Sequence, residues 1–236
     1  MRNNIAIIIP SYNAKNTIAR TITDTFSILP KAEIIVIDDN SPDGTASEIK
    51  KYFTQNKRLT LIVREKKEGR GTAILRGFQE GLKNKNIKFF IEMDADLCHD
   101  PKYIPLLIEK CKKYDVAIAS KYLKESQISG LNNKRVAFSK LVNFLIRFML
   151  KIPITDYTNG FRCYRRTALE KINFNSFYSK GFISLSEIAY KLYKKGCTFS
   201  EIPFVFNYNG SNKSNFNLKE VREASLTIIE LKFNFK

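Results

Sequence analysis

Apolar residues in the first half of the chain fall into short unbroken runs at 5–9, 34–37, 59–63, 89–93 and 116–119, which predict buried β-strands. Segments with helical spacing lie between them, near 16–29, 45–53, 72–83 and 101–113. Each is long enough for a crossover. The alternation therefore predicts an α/β fold with a mostly parallel central sheet and helices on both faces. Ligands of such sheets sit at the carboxyl ends of the strands. Residues 10–13, Asp38–Asp39 and Asp94–Asp96 all fall there.

The second half changes character. Residues 134–150 predict a helix with a broad apolar face and cations at Lys134, Arg135, Lys140 and Arg147. Such a helix can pack on the sheet or lie in a membrane interface, and the two are compatible. A helix over 184–195 carries Leu185, Ile188, Ala189 and Leu192 on one stripe and ends at Gly196. A strand is expected over 197–206, then a terminal helix over 218–232 with Val221, Ala224, Ile228 and Leu231 in register.

Composition alters this picture in one respect. Hydrophobic content of 44% and charged content of 27% are ordinary for 236 residues, but 40 basic against 23 acidic residues leave a net charge of +17. That excess implies anionic partners: nucleic acid, a lipid surface or phosphorylated ligands. Heavy use of Lys and Asn discounts part of it, and no nucleic-acid recognition motif supports the first option. Four scattered cysteines without a CxxC pair argue against zinc. The chain opens directly into a strand, and no run reaches the roughly 20 apolar residues of a membrane span. A cytoplasmic protein is expected.

The candidate chemistry centres on IEMDADLCHDP at 91–101. Asp94 and Asp96 emerge where a buried strand ends, and a hard divalent cation carrying phosphate oxygens is the natural group for them to hold. A second acidic strand end, IIVIDD at 34–39, runs into Pro42-Asp43-Gly44, with Thr45 placed to cap a helix. One aspartate would suffice for the turn; the other is free for ribose or a base edge. Gly69-Arg70-Gly71-Thr72-Ala73 precedes a helix start, which favours anions. His99, the only histidine, reads as a general base or as a turn or cap residue. Arg162, Arg165 and Arg166, after the Asn159-Gly160 turn, read as a solvated basic strand or as phosphate ligands.

Taken in order, IIIPSYN at 7–13, VIDDNSPDGT at 36–45, GRGTA at 69–73, MDADLCHDP at 93–101, SKY at 120–122, KRxxxS at 134–139 and DYTNGFRCYRR at 156–166 resemble the inverting glycosyltransferases of GT-A fold. Within them the segments look like the polyprenyl-phosphate (dolichol-phosphate) mannose synthases. The resemblance runs from about residue 5 to 217 and implies a catalytic domain over 1–217, with its acceptor side in 121–217 and an amphipathic helix over 218–236.

It further implies transfer of mannose from GDP-mannose to a polyprenyl or dolichyl phosphate. Donor binding would fall to Pro10, Tyr12, Asp39, Asp94, Ala95 and Asp96. Mg²⁺ or Mn²⁺ would sit at Asp96 and Cys98. The acceptor phosphate would meet Lys121, Arg135, Ser139, Arg162 and Lys213, with Asp94, Asp96 and Arg135 carrying the chemistry. Such an enzyme would work peripherally on the cytosolic face of a membrane, directly or through a small membrane-anchoring subunit.

The residue types suit that reaction. The acceptor phosphate, with a second pKa of about 6, is already mostly dianionic at neutral pH and needs cations to place it more than a base. Direct attack implies inversion at the sugar carbon.

Departures from the family pattern are Ala14 for an acidic residue, Cys98 for Gln or Ser, Lys121 for Arg, and Asn207 and Asn212 in a late R-x-x-G-x-S-K motif that keeps Gly210 and Lys213. They keep alternatives open: a UDP-glucose-dependent polyprenyl-phosphate glucosyltransferase, a polysaccharide glycosyltransferase, or a non-catalytic nucleotide-sugar binding module.

Overall fold

A computed structural model describes residues 4–208 and 218–233. In chain order its elements are β1 (Ile5–Ser11), α1 (Lys15–Ile28), β2 (Glu33–Asp38), α2 (Thr45–Phe53), β3 (Leu59–Val63), α3 (Arg70–Leu82), β4 (Phe89–Glu92), α4 (Ile104–Cys111), β5 (Val116–Ser120), β6 (Gln127–Ser129), α5 (Asn133–Leu150), β7 (Arg162–Arg165), α6 (Arg166–Leu169), α7 (Ser184–Lys194), β8 (Phe199–Pro203), β9 (Val205–Asn207) and α8 (Leu218–Phe233). Seven strands form one sheet in the order β3-β2-β1-β4-β7-β5-β8, and β6 pairs with β9 apart from it. Only β7 runs antiparallel in the main sheet.

Alternation along the strands builds two cores. Ile7 and Ile9 of β1 face a layer with Ile18, Ile22, Ile49 and Leu107, while Ala6 and Ile8 face Phe78, Ile188 and Leu192. Helices on both faces are thus required by the uninterrupted apolar strands, as expected. Helix α3 lies close on β1 because Gly77 carries no side chain: a Cβ there would come within 2.2 Å of Ile8 Cγ2.

The second half holds the surprises. The strand expected over 197–206 is two. Pro203 is the last β8 residue paired with β5; it cannot donate to the ladder, and the chain then leaves for β6. The helix expected over 101–113 begins as a 3₁₀ turn, Pro101–Tyr103, before α4. Helix α7 ends as predicted: Gly196 at φ 73 lets its own N–H and that of Cys197 cap the Tyr193 and Leu192 carbonyls, each at 3.0 Å.

Helix α5 packs on the body of the fold through one face and leaves the other uncovered. Asn143, Ile146 and Leu150 pack inward, and Phe138, Leu141, Phe144, Leu145 and Phe148 face out. In α8, Ile228 and Leu231 are buried as expected, but Val221 is exposed.

Candidate active site

Parallel pairing brings the ends of β1, β2 and β4 to one rim. Asp38 and Asp39 divide the work there. Asp38, fully buried, ties the rim together by accepting from Ser11 Oγ (2.8 Å), Ser41 Oγ (2.6 Å) and the Ser41 amide (2.9 Å). Asp39 accepts from the Arg64 guanidinium and, at 3.0 Å, from the Gly69 amide. Asp43, rather than Thr45, serves the start of α2, accepting from the Thr45 amide at 2.9 Å and the Lys15 amide at 3.0 Å. Thr45 Oγ1 is turned to the Ala14 amide at 2.9 Å.

Arg70, next to Gly69, carries the network to the second acidic strand end. Its Nε and Nη2 both donate to Asp94 Oδ1, at 3.0 and 2.7 Å, and its Nη1 donates to Glu92 Oε1 at 2.7 Å. Asp39 and Asp94 are therefore joined through two consecutive residues. Burial, the largest single influence, would raise the Asp94 pKa, but Arg70 and the neighbouring His99 and Lys121 together hold the carboxyl below the usual range.

Asp96 is half-buried, and its Oδ1 accepts from the Cys98 amide at 3.0 Å across a turn in which Leu97 has φ 66. Ala95 is buried, its carbonyl held by Thr21 Oγ1 at 3.1 Å. Pro10 is buried at the end of β1, and the half-buried Tyr12 ring carries Lys67 Nζ 3.8 Å above its centroid.

His99 is a strut. Its Nδ1 accepts from the Asp94 amide at 2.9 Å, so Nε2 bears the proton and donates to Asn159 Oδ1 at 3.0 Å. The ring stacks on Phe161 with centroids 4.9 Å apart. It is neither a base nor a cap; Asp100 caps the following turn.

On the other side of Asp94 stands Lys121, whose Nζ lies 3.8 Å from buried Asp156 and close enough to Asp94 to favour its ionised form. Ser139 on α5 meets the Tyr122 hydroxyl at 2.6 Å. Burial pushes that phenol up to about 12, so it stays neutral. Arg135, in the first turn of α5, lies 4.6 Å from the Tyr208 ring centroid. Lys213, Gly210 and Asn212 lie outside the described residues.

The expected arginine and thiol ligands drop out. Arg162 is fully buried and spends its N–H groups on the carbonyls of Asn159, Leu185, Asp156 and Tyr157, so it holds the 156–160 loop and cannot reach a phosphate. Arg165 and Arg166 likewise turn inward, to the carbonyls that close α4 and α3, and are not a solvated strand. The Cys98 thiol is soft and 4% exposed, a poor match to a hard cation, and its backbone amide donates to Asp96.

Asp96 offers one oxygen donor at the rim, of the kind a hard divalent cation takes together with substrate phosphates and water. Among the described residues no three His, Cys, Asp or Glu side chains gather into a cage.

The family profile described as Glycosyl transferase family 2 matches residues 6–173. The chain belongs to glycosyl transferase family 2. A polyprenol monophosphomannose synthase of Mycolicibacterium smegmatis is 31% identical over 226 residues, spanning 95% of this chain and 85% of the relative. An undecaprenyl-phosphate mannosyltransferase of Micrococcus luteus is 28% identical over 224 residues, spanning 95% and 92%.

Solved structures share the GT-A fold. Glucosyl-3-phosphoglycerate synthase of Mycobacterium tuberculosis, in complex with Mn²⁺, UDP and glucosyl-3-phosphoglycerate, aligns with a TM-score of 0.67 at 16% identity over 97% of this chain and 78% of that one. The mannosyltransferase PcManGT of Pyrobaculum calidifontis, in complex with GDP-Man and Mn²⁺, gives 0.63 at 15% over 98% and 63%.

Reading the sequence of this glycosyltransferase missed Arg64, Arg70 and Glu92. Arg70 had a visible signal, a cation beside two glycines before a helix, but its target lies 24 residues away. Glu92 had one too: a charge inside an apolar strand has to be paired.

Proposed function

We propose that this family 2 glycosyltransferase moves mannose from GDP-mannose to a polyprenyl phosphate, with inversion at the sugar carbon, at a membrane surface. One observation carries the reading: Lys121 lies beside Asp94, the neighbouring Tyr122 meets Ser139 of α5, and that helix opens with the cation Arg135 and exposes Phe138, Leu141, Phe144, Leu145 and Phe148. Positive charge leading onto an apolar face suits a phosphate on a lipid chain. The polyprenyl-phosphate activities in the relatives' names, and the GDP-Man bound by PcManGT, agree with it.

In this reading an acceptor phosphate oxygen forms the bond to the anomeric carbon as the bond from that carbon to the diphosphate oxygen breaks, and GDP carries away the electron pair. No proton moves. Lys121, Arg135 and Ser139 draw in and orient the acceptor phosphate, while Asp94 and Asp39 position the donor, flanked by Pro10, Tyr12 and Ala95. Asp96 would hold Mg²⁺ or Mn²⁺, which would supply charge stabilisation for the departing diphosphate. The exposed rows of α5 and α8 dock on the lipid surface; among the described residues no helix is long and apolar enough to cross a membrane. Residues 1–217 form the catalytic unit, and 218–236 serve the surface contact.

Radiolabelled GDP-mannose offered with undecaprenyl phosphate and Mg²⁺ or Mn²⁺ should place label in the lipid extract. Asp96→Ala should lower that rate on the order of a hundredfold or more in a folded protein. Label only from UDP-glucose, or only in water-soluble glycan, would replace this reading with the corresponding alternative.

A further inference from the structure

Glu92 is a charged interior group that the transfer chemistry does not use. It is the last residue of β4 and fully buried. Taking a carboxylate out of water is costly, and an apolar residue would pack a strand without that cost. Both its oxygens are committed: Oε1 accepts from Arg70 Nη1 at 2.7 Å, and Oε2 accepts from the Tyr164 hydroxyl of β7 at 2.9 Å. Beyond Arg70 stands Asp94, which meets the guanidinium through Oδ1 alone; its Oδ2 lies 3.7 Å from His99 Nε2. The guanidinium is enclosed as well. The Phe182 ring lies 5.7 Å away, and a Cβ on Gly160 would come within 2.0 Å of Nη2.

We propose that Glu92, braced by Tyr164, is a positioning residue for the sugar donor: it fixes Arg70 on Asp94 Oδ1, so that Oδ2 is presented in one direction to a hydroxyl of the donor's hexose. The proposal rests on the transfer reading above. An unrestrained aspartate samples several orientations, whereas one oxygen pinned by a forked donor leaves the other preorganised. Gly160 belongs to the device because only a residue without a side chain leaves room for the guanidinium.

The test compares GDP with GDP-mannose by calorimetry in the presence of Mn²⁺, together with steady-state kcat and KM. Glu92→Gln keeps the shape but replaces one of the two acceptor oxygens with a donor and removes the charge that anchors Arg70. Affinity for GDP should stay within about twofold, while GDP-mannose weakens by about tenfold and kcat falls. Tyr164→Phe removes one hydroxyl and should act in the same direction by about threefold. Arg70→Lys should resemble Glu92→Gln, since an ammonium cannot fork between two carboxylates.

Variants that keep wild-type kcat and donor KM and lose only melting temperature would show a structural cluster and overturn the proposal. Equal weakening of GDP and GDP-mannose would overturn it too, because the effect would then lie at the diphosphate. Wild-type protein that gains nothing from the attached mannose would remove the reading and the proposal together; variants matching a mannose-discriminating wild type would remove the proposal alone.

Discussion

The rim of β1, β2 and β4 and the outer face of α5 and α8 are built on opposite terms. At the rim each acidic group already has partners: Asp38 has the two serines, Asp39 has Arg64 and Gly69, and Asp94 has Arg70. Among the described residues no buried side-chain nitrogen or oxygen lacks a hydrogen bond. The α5–α8 face is unfinished by comparison, with Phe148 at 70% and Phe233 at 78% exposure. A cluster of that kind differs from the scattered apolar residues normal on a surface. One region is satisfied internally; the other leaves apolar rings in water.

The largest expected effect strikes the preformed side. Arg162→Met would remove one donor from each of four buried carbonyls, of which Tyr157 keeps the Ser186 hydroxyl, and urea unfolding should show a loss on the order of 4 kcal/mol. A loss near zero would mean that the 156–160 loop is held elsewhere. On the unfinished side, Phe144→Ser with Phe148→Ser should leave stability within about 0.5 kcal/mol. Binding to anionic vesicles, measured by flotation, should fall more than about tenfold, since each phenyl buried in lipid contributes roughly 1.5–3 kcal/mol. Unchanged flotation would refute the docking face. Lys134→Gln with Arg147→Gln should cost about 1 kcal/mol of vesicle affinity per cation, and the difference should vanish at high salt.

The smallest effect tests the turn after β2. Asp43→Ala should cost about 1 kcal/mol at neutral pH. Burial would raise the Asp43 pKa, but the hydrogen bonds from Thr45 and the Lys15 amide reverse this and leave it depressed. A depressed carboxyl stabilises the fold above its unfolded pKa of about 3.9, and that contribution is lost as pH falls through the folded value. The gap between wild type and variant should close in acid.

Legibility in the sequence followed the range of the interaction. The first-half strands and the ends of α2 and α7 could be read because apolar runs, turn residues and a capping glycine act within a few positions. The pairing of Asp38 with Ser11, or of Arg70 with Asp94, spans 27 and 24 residues and has no local signature. The arginines of 162–166 misled for the same reason. Cationic side chains read as solvated or phosphate-seeking until the fold wraps carbonyls around them.

By itself the sequence determined the layered α/β architecture, the acidic strand ends and the family, because these rest on periodicity and on motifs that survive at fixed spacing. Tertiary structure alone decided which charges face outward. Arg162 went to the interior, the Cys98 thiol was buried and Glu92 was paired with Arg70. The physical reason is that a charge takes its role from its surroundings: whether a guanidinium meets water, a carbonyl or a carboxylate depends on which distant segments close around it.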